Sequence, residues 1–301
     1  MTSNIAQSVR DKLVQIARTQ NKDFNHILSR YAIERIMYRL SKSQYADRFV
    51  LKGAMLFTLW FGQSTRPTKD LDLLGYGKFD FESLRKIFQD ICKLPVTDDG
   101  LIFDDLDIEI HEIREGELYH GLQTAICGKL GSARITVTID VGIGDSVLPA
   151  PKLEKYPTLI DLPAPEIRVY PPETVIAEKF DAIVVLGMRN SRMKDYYDIW
   201  NLIGRLEFDG AVLSEAIIAT FRQRGHQLPY IIPTGIKEEF AANPDKTTQW
   251  KGFLRRMGLS QDKNNFANVV LEINNFFAPL ISAWADKATF NKKWHPFEKW
   301  H

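Results

Sequence analysis

Two aspartates, Asp70 and Asp72, stand one residue apart in an otherwise apolar run. The alternating pattern from Asp70 to Leu74 predicts a β-strand, and side chains alternate across a strand, so the two carboxylates share one face. Neighbouring carboxylates repel each other unless a cation lies beside them, and Mg²⁺ prefers such oxygen ligands. The pair therefore predicts a site for Mg²⁺, with Mn²⁺ as a substitute, that holds a nucleoside triphosphate. The alternative is that both acids face water on an edge strand.

The residues before this pair offer contacts to phosphate. A small-residue turn, Gly53-Ala54, precedes a short apolar helix predicted at residues 54–62, and backbone N–H groups at such a helix start can bind anions. The loop that follows adds a cation and a hydroxyl close to the aspartates. The predicted nucleotide-binding residues in this stretch are Lys52, Gly53, Ala54, Arg66 and Thr68.

A third acid, Asp140, interrupts the β-branched strand predicted at residues 133–141. A charge in a buried strand needs a partner or a metal ion. Asp140 is therefore a candidate third metal ligand, and a salt bridge or a strand-end cap is the alternative.

Lys179 lies in a largely apolar helix predicted at residues 173–188. Because lysine often binds phosphate, this pattern suggests a catalytic and nucleotide-binding lysine that holds the triphosphate. The alternative is an ordinary ion pair on the helix surface with the flanking Glu178 or Asp181, and such pairs are usually weak.

Asp195 and Asp198 are three residues apart, so they meet on one face of the helix predicted at residues 192–206, for which Asn190 or Ser191 would be the N-cap. They could bind a second cation, orient Lys179, or act as a base toward an acceptor hydroxyl. The alternative is capping together with ion pairs to basic neighbours, namely Arg189, Arg192 or Lys194.

The elements that must position these residues follow from the apolar patterns. Helices are predicted at residues 5–20, 24–41, 54–62 and 80–90, and strands at 70–74, 105–113, 119–128 and 133–141. The proline-rich stretch 149–172 predicts an extended crossover rather than packed structure. Beyond it only helices are predicted, at 173–188, 192–206, 210–224, 247–257 and 264–286. We expect an α+β fold, with a mixed-sheet lobe at 1–150, a crossover at 151–172 and a helical lobe at 173–301.

Composition limits the function classes. With 39 Lys+Arg against 38 Asp+Glu, overall charge does not indicate nucleic-acid binding, so any contact with a polyanion must come from local patches. Two cysteines exclude a disulfide framework and a four-thiolate zinc site. We find no signal-peptide pattern and no stretch near the roughly 18 apolar residues of a membrane span. A cytoplasmic protein without a membrane partner is expected, and its C-terminal tryptophans are expected to dock the C-terminal helix and tail onto the core.

Five segments carry most of these features, in a fixed order. They are residues Phe49–Gly53, Arg66–Leu73, Ile139–Asp145, Glu173–Lys179 and Met188–Asp198. Together they resemble the AbiEii/AbiGii toxin family of nucleotidyltransferases, which includes the mycobacterial MenT toxins. The family usually has Gly-Ser before the helix, whereas this chain has Gly53-Ala54 and lacks that phosphate-binding hydroxyl.

The resemblance implies a polymerase-β-like nucleotidyltransferase core and a bacterial toxin paired with a separate antitoxin protein. It further implies a nucleoside triphosphate substrate and the 3′ end of tRNA, or another RNA, as acceptor. By matching positions, it implies metal ligands at Asp70, Asp72 and Asp140, a nucleotide-contacting Lys179, and a later acidic motif at Asp195 or Asp198. Thr68 matches a position where the family often has serine or threonine, which can be phosphorylated in some members. All these groups are expected to converge around one divalent ion.

Two other functions remain open at this point. The chain could nucleotidylate or phosphorylate a protein hydroxyl, or it could be a catalytically silent module that sequesters a partner. The missing hydroxyl at Ala54 is the feature that favours the silent module.

Overall fold

The computed structural model describes residues 2–113, 121–260 and 265–301. The chain divides into two compact units. The first comprises Met1–Gly144 and Pro151–Tyr170, and the second comprises Asp145–Ala150 and Pro171–His301. The first residues of two predicted elements, 119–120 and 264, lie outside the described residues.

The first unit combines helices with one mixed sheet. Its described helices are α1 (Thr2–Thr19), α2 (Phe24–Lys42), α3 (Met55–Phe61) and α4 (Phe81–Lys93). Its strands are β1 (Phe49–Lys52), β2 (Asp70–Gly75), β3 (Leu101–Glu112), β4 (Gly121–Leu130), β5 (Ala133–Ile143), β6 (Lys152–Lys155) and β7 (Glu166–Val169). The sheet order is β3-β4-β5-β2-β1-β7-β6, with β2–β5 and β1–β7 parallel and the other pairs antiparallel.

Alternation in the sequence explains the central strands. In β2, Leu71 and Leu73 are fully buried, while Asp70 and Asp72 point to the other, half-buried face. β4 and β5 form a hairpin, with Gly131 at positive φ in its turn. The predicted helices at 5–20, 24–41, 54–62 and 80–90 are confirmed.

The stretch predicted as an extended crossover contains two strands, so that prediction is wrong for β6 and β7. These two strands pair with each other, and β7 also pairs with β1. The prolines of residues 149–172 flank the two strands without interrupting either of them. β1 is likewise missing from the sequence prediction, because four residues are too few to show alternation.

The second unit is mainly helical. Its described helices are α5 (Pro172–Leu186), α6 (Met193–Ile203), α7 (Gly210–Gln223), α8 (Glu238–Ala242), α9 (Pro244–Arg256) and α10 (Phe266–Ala285). A small sheet, which the sequence analysis does not predict, has the order β10-β9-β8 and consists of β8 (Phe208–Asp209), β9 (Lys293–His295) and β10 (Lys299–Trp300). The expected α+β class, with a mixed sheet followed by a helical unit, is confirmed.

The C-terminal tryptophans dock onto the second unit, as predicted. The indole N–H groups donate to neighbouring oxygen atoms: Trp284 to Ser214 Oγ at 2.7 Å, Trp294 to the Ile203 carbonyl at 2.7 Å, and Trp300 to the Phe276 carbonyl at 2.8 Å. Buried tryptophans usually find such a partner for the N–H, so these contacts fix the tail.

Helix α10 corrects the prediction that no stretch is apolar enough to span a membrane. By length and composition alone, α10 passes that test, which core helices of soluble proteins also pass. Its Phe277 stacks on Phe180 of α5 with ring centroids 3.8 Å apart, and its Phe276 is fully buried. The helix therefore packs as a core helix of the second unit.

Candidate active site

A row of polar side chains crosses four neighbouring strands of the first unit. The register pairs Asp72 of β2 with Asp140 of β5 and with Lys52 of β1, and it pairs Asp140 with Gln123 of β4. Directly paired residues project from the same face of a sheet. Lys52, Asp72, Asp140 and Gln123 therefore lie side by side, all half-buried, and Asp70 lies on the same face two residues along β2.

Gln123 is a member of this row that is not among the residues predicted from the sequence. Its side-chain amide donates a hydrogen bond to Asp140 Oδ1 at 2.8 Å. The alternation along β4 puts Leu122 and Ile126 on the buried face and Gln123 on the other face. This alternation is the feature of the sequence from which the orientation of Gln123 could be predicted. Only the pairing of β4 with β5 shows that this polar face meets Asp140.

Gly53 lies directly against the Asp72 carboxylate. Its φ is +74°, and a Cβ built on it would lie 1.9 Å from Asp72 Oδ2 and 2.5 Å from Asp72 Cγ. No side chain fits in that space unless Asp72 moves, and positive φ favours glycine independently. The glycine of the predicted phosphate-binding turn thus leaves the space that the side chain of a predicted metal ligand occupies.

The other predicted nucleotide-binding residues of the first unit lie around β1, α3 and the loop before β2. Lys52 Nζ is 5.8 Å from the centre of the Tyr170 ring. The Thr68 hydroxyl donates to the main-chain oxygen of Asp70 at 3.4 Å, and the Arg66 carbonyl accepts from Ser64 Oγ. Contact of Lys52, Gly53, Ala54, Arg66 and Thr68 with a nucleotide stays a prediction.

The predicted metal ligands present the right donor type without forming a complete ligand cage. Within residues 2–113, 121–260 and 265–301, no group of three or more His, Cys, Asp or Glu side chains is arranged to hold a metal ion. Asp70, Asp72 and Asp140 nevertheless supply carboxylate oxygens on one face, which are the donors that Mg²⁺ prefers. The donor chemistry fits a divalent ion, and binding by these three residues stays a prediction.

In the second unit, Lys179 of α5 is held by both aspartates of α6. Its ammonium donates to Asp195 Oδ1 and to Asp198 Oδ2, each at 2.8 Å. Both aspartates are 1% exposed and Lys179 is 14% exposed, so this is a buried ion cluster and not the surface pair considered as the alternative. Arg192 Nε adds a contact to Asp195 Oδ2 at 2.7 Å.

The two cations decide the protonation of Asp195. Burial alone would raise the pKa of this carboxyl, but the Lys179 ammonium and the Arg192 guanidinium outweigh burial and hold the pKa well below its usual range. A carboxylate with such a low pKa is a poor proton acceptor near neutral pH. Of the roles considered for Asp195, the contacts support orienting Lys179 and argue against a general base.

The acids that flank Lys179 in the sequence have other partners. Arg224 donates to Asp181 Oδ2 at 3.0 Å and to Asp145 Oδ1 at 2.9 Å, and Glu178 Oε2 lies 3.7 Å from the same guanidinium. His226 Nδ1 is 2.6 Å from Asp181 Oδ1. These contacts connect the end of α7 with α5 and with the Asp145–Ala150 segment, so they are structural within the second unit.

The start of α6 differs from the sequence prediction. The helix begins at Met193 with Arg192 as its N-cap and no side-chain cap, so the predicted N-cap at Asn190 or Ser191 is wrong. The Asn190 side chain, three residues before the first residue of the helix, instead accepts a hydrogen bond from the backbone N–H of Arg192 at 2.8 Å.

The predicted site residues thus fall into two groups. The first group is Lys52, Gly53, Ala54, Arg66, Thr68, Asp70, Asp72 and Asp140 in the first unit, and the second group is Lys179, Asp195 and Asp198 in the second unit. Each group is assembled within its own unit by the contacts described above. Their convergence around one ion stays a prediction.

Comparison with known proteins places the chain in a family. Residues 35–272 match the sequence profile described as nucleotidyl transferase AbiEii toxin, type IV toxin–antitoxin system. A solved structure of a Helicobacter pylori protein, described as a candidate nucleotidyltransferase, shares 16% identity with a TM-score of 0.46, covering 84% of this chain and 92% of that one. JHP933 from Helicobacter pylori shares 15% identity with a TM-score of 0.45, covering 84% of this chain and 90% of that one.

A search of curated protein sequences finds no significant match to this chain. The family profile spans most of the chain and includes both groups of residues, which confirms the resemblance drawn from the sequence. The chain therefore belongs to the AbiEii family of nucleotidyltransferase toxins of type IV toxin–antitoxin systems.

Proposed function

We propose that this protein transfers a nucleoside monophosphate from a nucleoside triphosphate to the 3′-terminal hydroxyl of tRNA. The acceptor oxygen forms a bond to the α-phosphorus, the bond from that phosphorus to the bridging oxygen of pyrophosphate breaks, and the hydroxyl proton is released to water. Membership of the nucleotidyltransferase family supports the reaction class. The observation that carries the site assignment is the register that pairs Asp72 with Asp140.

The carboxylates of the first group hold a divalent ion in this proposal. Asp70, Asp72 and Asp140 are its protein ligands, with Mg²⁺ as the expected ion and Mn²⁺ as a substitute. When bound, such an ion neutralises charge on the triphosphate and on the leaving pyrophosphate. Gln123 orients the Asp140 carboxylate through its hydrogen bond, and Gly53 leaves room for the Asp72 carboxylate.

Lys179 binds the triphosphate in this proposal. Asp195 and Asp198 each accept a hydrogen bond from its ammonium, so the cation is held in place before substrate arrives. Charges that are positioned in advance need no reorganisation during the reaction, and this is the main source of electrostatic catalysis. Asp195 and Asp198 thus act through Lys179.

The family also supplies the biological setting. An antitoxin protein is the partner that a type IV system implies. Because the proposed substrates are a nucleotide and an RNA, we place the reaction in the cytoplasm.

A labelling experiment tests the proposal. The purified protein is incubated with total tRNA and each of four α-³²P-labelled nucleoside triphosphates, in Mg²⁺, in Mn²⁺ or in EDTA. We expect labelled tRNA with at least one triphosphate, and no label in EDTA. Asp72→Asn and Lys179→Met should each lower labelling about 100-fold or more.

Matched controls separate the site from general charge effects. Asp161 is exposed in the first unit and Lys251 is exposed on α9, so Asp161→Asn and Lys251→Met should label tRNA as the unmodified protein does. Full labelling by Asp70→Asn or Asp72→Asn would contradict the metal assignment. Label in protein rather than in tRNA would establish a protein hydroxyl as acceptor. No label with any triphosphate, together with toxicity that survives Asp70→Asn, would favour a silent binding module.

A further inference from the structure

Lys246 of α9 is a buried lysine that the proposed mechanism does not use. It is 6% exposed, and its ammonium donates to the main-chain oxygen of Asn190 at 2.9 Å. It also contacts Gln249 Oε1 at 3.5 Å and the face of the Phe240 ring, whose centre is 5.3 Å away. All three of these partners are uncharged. Burying an ammonium group is unfavourable unless polar groups compensate for the lost water. Of the three contacts, the hydrogen bond to the Asn190 carbonyl is the shortest, so we ask what this bond holds in place.

The carbonyl that Lys246 holds belongs to the turn that leads into α6. Asn190 is fully buried, and its N–H donates to the Gly187 carbonyl at 3.1 Å. Its side-chain oxygen accepts from the backbone N–H of Arg192 at 2.8 Å. Because α6 has no side-chain cap, these contacts and the one from Lys246 hold Asn190 and the backbone of Arg192 in place just before the helix.

From this turn the contacts continue to Lys179. The same Arg192 donates through Nε to Asp195 Oδ2 at 2.7 Å, and the other oxygen of Asp195 accepts from Lys179 at 2.8 Å. A displacement of the turn would move the Arg192 backbone, and with it the start of the helix that carries Asp195. The path from Lys246 to Lys179 therefore consists of short hydrogen bonds and the intervening covalent chain, all within the second unit.

We infer that Lys246 is a positioning residue for Lys179, which it serves by anchoring the Asn190 turn and thereby the orientation of Arg192 and Asp195. The functional meaning of this inference rests on the proposed function, because it assumes that Lys179 binds the triphosphate. The positioning itself is a property of the fold and can be measured without any substrate.

The first experiment measures the coupling between Lys179 and Asp195 by a double-mutant cycle in urea unfolding. Lys179→Met, Asp195→Asn and the double variant are compared in the original sequence, in Lys246→Met and in Lys251→Met. We expect Lys246→Met to reduce the coupling to less than half, and Lys251→Met to leave it unchanged. A coupling that survives Lys246→Met would overturn the inference, even if that variant lowers stability. Lys246→Arg, which keeps a charged donor, should retain most of the coupling. If Lys246→Met does not fold, Lys246→Gln takes its place, since its shorter side chain removes the charged donor to the Asn190 carbonyl, and a coupling that survives Lys246→Gln would equally overturn the inference.

The second experiment measures steady-state labelling of tRNA. We expect Lys246→Met to lower kcat/KM about tenfold, and we expect Arg192→Met combined with Lys246→Met to be no worse than Arg192→Met alone, because both act through Asp195. Additive losses in the combined variant would contradict the shared path. If the unmodified protein labels no acceptor, the proposed function fails, while the coupling measurement still decides the role of Lys246.

Discussion

The backbone of Gly53 passes directly against the carboxylate of Asp72. A methyl group on Gly53 would lie 1.9 Å from Asp72 Oδ2, and the glycine sits at φ +74°. The arrangement follows from the register, because Lys52 is the residue of β1 that pairs with Asp72, and the chain turns away at the next residue. The turn before α3 is thus packed directly against the strand that carries the two aspartates, and a change in one displaces the other.

Gly53→Ala should therefore lower nucleotidyl transfer about 100-fold. The new methyl group would push the Asp72 carboxylate away from its position, and a misplacement of about 1 Å at a reacting centre can lower the rate about 100-fold. The left-handed backbone should also lower the free energy of unfolding by about 1 kcal/mol. Labelling of tRNA and urea unfolding measure the two effects separately.

Gly62→Ala is the matched control for this prediction. Gly62 has φ +71°, and among the described residues no atom beyond its chain neighbours lies within 4 Å of the place that a Cβ would occupy. The substitution therefore imposes the same backbone strain without the clash. We expect a similar loss of stability with transfer activity retained. Equal loss of activity in both variants would show that backbone strain, and not displacement of Asp72, is responsible.

Gln123→Leu should weaken transfer without unfolding the protein. The substitution removes the hydrogen bond from the Gln123 amide to Asp140 Oδ1, and a hydrogen bond to a charged group contributes about 1.5–3 kcal/mol, less where it is half-buried. We expect about a tenfold loss of kcat/KM, equivalent to ~1.4 kcal/mol. Gln20→Leu, at an exposed position after α1, is the control. Unchanged activity in Gln123→Leu would remove Gln123 from the site.

Local patterns predicted the elements that carry the chemistry. The alternation around Asp70 and Asp72 predicts β2, and the spacing of Asp195 and Asp198 predicts a shared helix face, and both predictions are confirmed. These predictions succeed because the direction of a side chain in a strand or helix depends only on its spacing from residues nearby in the sequence.

Pairing between distant segments could not be predicted in the same way. Nothing near Gln123 shows that β4 lies beside β5, and β1 is too short to show alternation although it aligns Lys52 with Asp72. Lys246 is also beyond local reasoning, since its partner, the Asn190 carbonyl, is 56 residues away in the chain. The register of the sheet and the packing of α9 supply this information, and both depend on the whole unit.

Asp195→Asn should lower stability in a pH-dependent manner. At pH 7 the substitution removes one of the two carboxylates that hold Lys179 and the one that contacts Arg192. Because Asp198 still accepts from Lys179 at 2.8 Å, the loss of stability should stay below the loss of about 3–5 kcal/mol for a buried pair that is broken completely. The pKa of Asp195 is held below its usual range, so its contribution is complete above the unfolded-state pKa of about 4 and declines as the pH falls further. The difference between the variant and the unmodified protein should therefore shrink below pH 4.

Urea unfolding at pH 7, 5, 4 and 3 measures this dependence. Asp161→Asn, which changes an exposed acid, should show a small difference at every pH. A difference for Asp195→Asn that is the same at pH 3 as at pH 7 would mean that the ionised carboxylate is not what stabilises the cluster.

Glu34→Gln should have the opposite pH dependence. Glu34 is buried on α2, and burial raises its pKa to about 7, although the backbone N–H of Leu159 donates to its Oε2 at 2.7 Å and Arg35 lies nearby. The folded protein therefore keeps a proton that the unfolded chain loses near pH 4, so this residue's contribution to stability falls between about pH 4 and pH 7 and is constant above. Glutamine does not titrate, and its carbonyl can still accept from Leu159.

We therefore expect Glu34→Gln to gain stability relative to the unmodified protein as the pH rises from 4.5 to 8, by up to about 3 kcal/mol. Arg35 Nε lies 3.7 Å from Glu34 Oε1, so the substitution also changes a pH-independent contact, and for this reason the change across pH is the quantity to compare. Thermal unfolding at pH 4.5, 6, 7 and 8 measures it, with Glu154→Gln on the exposed strand β6 as control. A constant difference between Glu34→Gln and the unmodified protein over this range would show that Glu34 is ionised in the folded state throughout, and that the contacts with Leu159 and Arg35 outweigh burial.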